Sequence, residues 1–162
     1  WLPLFGAASV TVSDPSAGRR ETALALGVDA VVDPTAGPVL GANGAAPSVV
    51  FECVGLPGLI EGAAAACAVD GRVVVVGVCM GPDTIVPMTA MAKELDLRGA
   101  FRWGIEFDWA VDYLASRRVD VRPLLSGQYP LEDAVAAFAA AADKNKSTKV
   151  QVIAPADGGT RH

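Results

Sequence analysis

The stretch at residues 72–78, RVVVVGV, constrains this chain more than any other. It is apolar at every position from Val73 to Val76, so it has no face to offer to water. A strand of that kind must be covered on both sides, a condition met in a parallel sheet with helices on each face. The flanking segments alternate in the same sense. Residues 9–13 (SVTVS), 30–32, 48–52 (SVVFE), 96–101 (DLRGAF) and 148–153 read as strands. Residues 19–26, 59–69, 107–116 and 130–143 read as helices, the last with Leu131, Val135 and Phe138 on one stripe. Residues 81–93 read as a loop holding a short helix. Gly27, Asp33-Pro34 and Asp70-Gly71 are stop signals between these segments. The pattern predicts an α/β fold, a Rossmann-like doubly wound parallel sheet. No internal repeat or low-complexity tract is evident.

The ends of the chain add a second expectation. The opening WLPLFGAAS has neither a basic leader nor a cleavage-site pattern, and it reads as the tail of a helix already under way. The sheet is therefore expected to lack its first strand and the glycine-rich loop that follows it, and the chain to be part of a longer protein. In the strand order 3-2-1-4-5-6 the missing strand is central. Residues 9–13 and 48–52 should then flank a gap without pairing directly. Residues 154–162 read as a polar tail.

Bulk properties exclude several function classes. A net charge of -5 repels a phosphate backbone, so nucleic acid is not an expected partner. No apolar run approaches the roughly 18 residues that span a bilayer. Cys53, Cys67 and Cys79 form no CxxC pair, and the only histidine is His162. Neither a disulfide framework nor a metal site with three converging ligands can be built from them. They read as buried free thiols in a reducing cytoplasm. Ser/His/Asp catalysis is equally unsupported.

The residues that could bind a ligand stand where strands end. Asp14 follows the first strand and precedes a helix, and an acidic side chain there can accept both hydroxyls of an adenosine ribose. The same residue could equally shape an Asp-Pro turn. The ribose could belong to NAD or to S-adenosylmethionine. Arg19 lies in the first turn of the next helix and could cover the adenine side or simply be solvated. Val76, Gly77 and Val78 end the strongest strand, and Gly77 would let a flat ring approach the backbone. Glu52 and Asp83 read as isolated structural or solvated carboxylates.

Taken in order, VTVSDPSAGRRETALALGVDAVVDP, FECVG, GRVVVVGV, KELDLRGAFRW and KSTKVQVI resemble the cofactor domain and carboxyl-terminal return of the zinc-type medium-chain dehydrogenases. The resemblance implies an NAD-dependent oxidoreductase that transfers hydride between an alcohol and NAD. It implies that residues 1–123 form an incomplete NAD-binding domain and residues 124–153 return to a catalytic domain. By resemblance, Asp14 holds the adenosine ribose with Arg19 as the basic residue beside it, and Cys53 and Val54 line the adenine-side wall. Val76, Gly77 and Val78 meet the nicotinamide and its carboxamide, with Ala100 and Arg102 completing that contact. Lys149 lies near the pyrophosphate. Zinc and its ligands belong outside this chain, so no catalytic residue is assigned here. The substrate would be a small alcohol or ketone. Family members commonly pair through the edge strand, here 96–101, and the apolar Ile85, Val86, Met88 and Met91 before it suit a homo-oligomer. A non-catalytic dinucleotide-binding module and an S-adenosylmethionine-binding domain remain the alternatives.

Overall fold

A computed structural model describes residues 1–143 and 147–154. Seven strands are present among them: β1 (Thr11–Ser13), β2 (Ala30–Val32), β3 (Val49–Glu52), β4 (Arg72–Val75), β5 (Asp96–Gly99), β6 (Leu125–Pro130) and β7 (Lys149–Ile153). The helices are α1 (Ala17–Ala25), α2 (Leu59–Ala66), α3 (Pro87–Ala92), α4 (Glu106–Ala115) and α5 (Ala134–Ala142). Every strand pair is parallel. The ladders are β1–β2, β3–β4–β5 and β6–β7. No ladder joins β1 to β3 among the described residues. The sheet is thus interrupted at the position where the sequence pattern expects its central strand.

The core sits on β4. Val73 and Cys67 are fully buried beside Ala63, with Val50, Val75 and Leu95 packed around them. The face of β4 that carries Val73 and Val75 is therefore the one sealed by α2, whose small residues let the helix lie close. On the other face Val74 is part-buried and Val76, just past the strand, is exposed, so the expected cover on both sides is not met there. The carboxyl end of α2 is held by Lys93, whose Nζ donates to the carbonyls of Ala64 (3.2 Å), Ala65 (2.5 Å) and Cys67 (2.8 Å). A cation there satisfies orphan carbonyls and opposes the negative end of the helix dipole.

Several expectations need correction. The strongest strand stops at Val75 rather than Val78, because Val76 and Gly77 turn in to bond the neighbouring loop. The opening residues form a short 3-10 turn, Pro3–Phe5, closed by Gly6 at φ 89°. Trp1 and Phe5 pack edge-on against Tyr113 of α4, with ring centroids 5.7 and 5.9 Å apart. Strand β6 has no counterpart in the sequence reading. Its sequence LSGQYP is mostly polar and ends in Pro, so it carries little strand signal, and it becomes a strand by pairing with β7. The last helix is divided into a 3-10 turn, Leu131–Asp133, and α5. Its apolar stripe faces outward, and Ala137 is the residue buried from α5. All but the first residue of the 154–162 tail lies outside the described residues, as does His162.

Candidate functional site

In an open α/β sheet ligands bind off the carboxyl ends of the strands. There the loops after β3 and β4 are tied into one structure. Glu52, the last residue of β3, is buried. Its Oε1 accepts the N–H groups of Val54 (2.7 Å) and Gly55 (2.8 Å). Its backbone carbonyl accepts the N–H groups of Val76 and Gly77, both at 2.8 Å. One residue thus fixes both loops. The glycines are demanded by this contact. A Cβ on Gly77 would meet the Gly55 and Val54 amides and the Glu52 carboxylate, and one on Gly55, at φ +77°, would lie 2.5 Å from Val78 backbone. The space at Gly77 is therefore filled by the neighbouring loop, a reason for glycine that the sequence reading did not contain. Cys53, Val54, Val76 and Val78 project around this junction with exposed side chains. The expectation of buried thiols holds for Cys67 but not for Cys53, which is exposed at the strand end, nor for Cys79, which is part-buried in the loop after β4. Burial, and secondarily the charge of Glu52, raise the Cys53 thiol above its ordinary pKa.

On the far side of β4, the Ala100 N–H donates to the Val75 carbonyl (2.8 Å), so a ligand contact at Ala100 must use its carbonyl. Arg102 is exposed, its guanidinium 5.3 Å from the Phe101 ring centre. Cys53, Val54, Val76, Gly77, Val78 and Ala100 thus line one edge of a single sheet, with Arg102 two residues further on.

The second corner is the end of the β1–β2 ladder. Register pairs Ser13 with Val32, so Asp14 and Asp33 follow side by side. Each carboxylate closes a turn on the residue two along, Asp14 Oδ1 on the Ser16 N–H (2.8 Å) and Asp33 Oδ1 on the Thr35 N–H (2.9 Å). The Thr35 hydroxyl also donates to Asp33 Oδ1 (2.6 Å). The two Thr35 bonds, with Arg20 beside them, hold the Asp33 carboxyl below its usual range. Arg19 Nη1 lies 3.8 Å from Asp14 Oδ2, and Arg20 Nη1 lies 3.1 Å from Asp33 Oδ2. Arg20 Nη1 also donates to the Asp14 carbonyl (2.6 Å).

Sequence reading singled out Asp14 and Arg19 and missed Arg20 and Asp33. A signal was available: Asp14–Gly18 reads DPSAG and residues 33–37 read DPTAG, a short echo placed after each of two paired strands.

Lys149 stands apart, at the start of β7 in another ladder. Its neighbour Thr148 shares a shallow, open cleft of ≈ 220 Å³ with Arg19, Thr22, Ala23, Leu26 and Leu124. Glu52 and Asp83 act as structural carboxylates, Asp83 Oδ1 accepting from the Gly58 N–H (2.6 Å) and Thr84 N–H (2.8 Å). Among the described residues no three His, Cys, Asp or Glu side chains gather as metal ligands, so these residues do not fit a zinc ion. No helix among them is long and apolar enough to cross a membrane.

The molecule has well-defined relatives. Sorbitol dehydrogenase of Gallus gallus is 35% identical over 144 residues, covering 83% of this chain and 40% of the relative. L-idonate 5-dehydrogenase of Escherichia coli superposes with a TM-score of 0.85 at 30% identity, over 94% of this chain and 44% of its own. A zinc-binding dehydrogenase of Sinorhizobium meliloti 1021, solved bound to NADP, gives a TM-score of 0.80 at 25% identity, over 94% of this chain and 46% of its own. The chain spans about 40% of the length of the curated relatives it matches. A family model described as zinc-binding dehydrogenase matches residues 1–116. The match leaves no ground for the S-adenosylmethionine alternative: the chain belongs to the zinc-binding dehydrogenase family.

Proposed function

We propose that this chain is the NAD-binding part of an alcohol dehydrogenase-like oxidoreductase that moves hydride between a small alcohol or ketone and NAD. The observation that carries the reading is Asp14, a half-buried carboxylate at the carboxyl end of a parallel strand, held by its own turn and by Arg19. Its Oδ2 suits the acceptor role toward ribose hydroxyls, and its charge opposes a 2′-phosphate. When bound, nicotinamide supplies the carbon that accepts or gives the hydride. The chain's own task is to hold that ring still. Cys53 and Val54 offer a wall on the adenine side. Val76 and Gly77, whose amides the Glu52 carbonyl holds, and Val78 beyond them offer apolar side chains and backbone toward the ring, and the Ala100 carbonyl and Arg102 amide suit a carboxamide. Lys149 is assigned to the pyrophosphate side.

In this reading residues 1–123 are the cofactor unit, 124–153 a return to a catalytic unit, and 154–162 a tail. Zinc and its ligands lie outside the described residues. The free thiols Cys53, Cys67 and Cys79 suit a reducing cytoplasm. Ile85, Val86, Met88 and Met91 are exposed in and just before α3, the segment that leads into the edge strand β5, which supports self-association there.

The test is cofactor choice. Titration with NADH and NADPH, followed by fluorescence, should show NADH preferred. Asp14→Ser should erode that preference by about 1–3 kcal/mol, the range for a charge-assisted hydrogen bond. An unchanged ratio of the two dissociation constants refutes the role of Asp14.

A further inference from the structure

We propose that Asp33 is a specificity-determining residue: it excludes a 2′-phosphorylated cofactor by keeping the Arg20 guanidinium clamped between the ends of β1 and β2. The inference rests on the reading of Asp14 as the ribose acceptor.

Two arginines follow Asp14 within the first turns of α1, Arg19 and Arg20. An arginine beside an adenosine ribose is what recognises a 2′-phosphate, because its fork of N–H donors matches phosphate oxygens. Cation chemistry suited to such a phosphate is therefore already at this corner. Arg20 is withheld from that use. Its side chain is 19% exposed, against 42% for Arg19. Its Nη1 meets two acceptors at once, the Asp14 carbonyl at 2.6 Å and Asp33 Oδ2 at 3.1 Å.

Asp33 in turn cannot easily swing away. Its Oδ1 is engaged by the Thr35 N–H and hydroxyl, which leaves Oδ2 aimed at Arg20. The parallel register of β1 and β2 sets the two Asp-Pro turns side by side, so the clamp spans the strand ends. Asp14 thus excludes the phosphate directly, by like charge. Asp33 excludes it indirectly, by occupying the guanidinium that would otherwise neutralise it. Asp33→Asn keeps an oxygen for Thr35 and replaces the charge facing Arg20, so it opens the clamp without dissolving the turn.

The experiment is a set of NADH and NADPH titrations on the protein and its variants, with melting temperatures recorded alongside. Asp14→Ser alone should shift the NADH/NADPH ratio. Adding Asp33→Asn should tighten NADPH at least tenfold beyond Asp14→Ser and leave NADH within about threefold. Adding Arg20→Gln as a third change should cancel that gain, and Arg20→Lys should keep part of it. If Asp33→Asn weakens both cofactors alike, or Arg20→Gln leaves the gain intact, Asp33 is merely structural and the inference falls while the Asp14 reading stands. If Asp14→Ser leaves the ratio unmoved, or the unsubstituted protein binds neither cofactor, the Asp14 reading falls and takes this one with it.

Discussion

The β3–β4–β5 region and the β6–α5–β7 unit are both parallel β-structure covered by a helix, yet they are held together differently. The first has a sealed centre in Val73 and Cys67, and Glu52 bonds the two loops at its carboxyl edge. The second has a five-pair ladder with one irregularity between Leu125 and Gly127. Its helix buries Ala137, but Val135 is 85% exposed and Phe138 76%. Backbone hydrogen bonds shape both regions. Their net worth is modest, because water offers the unfolded chain the same bonds. Apolar burial stabilises more, and it is concentrated in the first region. The carboxyl unit is therefore expected to open locally at lower free energy than the β4 core.

The largest effect should come from Gly77→Ala. The added methyl would meet backbone amides of Val54 and Gly55 and the buried Glu52 carboxylate, and backbone cannot step aside as a side-chain tip can. Overpacking of this kind costs about 1–3 kcal/mol, and the upper end or beyond is expected here. Denaturant unfolding measures it. A loss under about 1 kcal/mol would mean that the loops are not locked, and the contrast between the regions would lose its main support.

A paired substitution sharpens the contrast with residue type held constant. Val73→Ala removes two methyl groups from a fully buried site and should cost about 2–3 kcal/mol, from lost apolar burial together with the cavity left behind. Val135→Ala removes the same atoms from an exposed helix position, where changes usually stay within about 0.5 kcal/mol. Alanine's better helix propensity could even make it neutral or slightly favourable. Equal losses at the two sites, read as shifts in denaturant midpoint, would show that Val135 is covered in the folded protein and that the two regions are equally packed.

The same contrast explains what sequence could tell. The alternation of elements was legible because β4 is apolar after Arg72 and its helices carry small residues and clear stops, and the place of the sheet's interruption because the opening residues carry no strand pattern ahead of β1. The ends of the strands were less legible. Val76 and Gly77 continue the apolar run, but their amides are claimed by the Glu52 carbonyl, a contact between residues distant in sequence. Strand β6 was hidden because its pairing with β7, rather than its own residues, makes it a strand. At the candidate site Asp14 and Arg19 follow from local spacing, whereas the Arg20–Asp33 pair depends on the register of β1 against β2. The spacing of Leu131, Val135 and Phe138 suggests one helical stripe, but Leu131 falls in the 3-10 turn before α5, and periodicity does not say which face meets the sheet.

The smallest expected effect is on reactivity rather than stability, and it probes the tightly held region at its rim. Cys53 follows Glu52 directly, and its side chain is exposed enough to meet a reagent. The thiolate is the species that alkylates. Burial disfavours that charge most, and the Glu52 carboxylate disfavours it further, so the thiol pKa lies above its ordinary value. The sign follows from this: at neutral pH Cys53 should alkylate more slowly than a free cysteine of equal access. Its rate should rise with pH along a profile displaced to the alkaline side. Glu52→Gln retains an oxygen for the Val54 and Gly55 amides while removing the charge. It should move the profile part of the way back, since burial, the larger cause, remains. Peptide mapping after timed alkylation across about pH 7–10, a range set by the roughly 8.5 pKa of an ordinary thiol, gives the profile for Cys53 alone. A Glu52→Gln profile identical to that of the unsubstituted protein would leave the carboxylate no electrostatic part at Cys53. A profile that coincides with that of an ordinary thiol before any substitution would mean that the β3 end is open to water, and the contrast with the carboxyl unit would fail where it should be strongest.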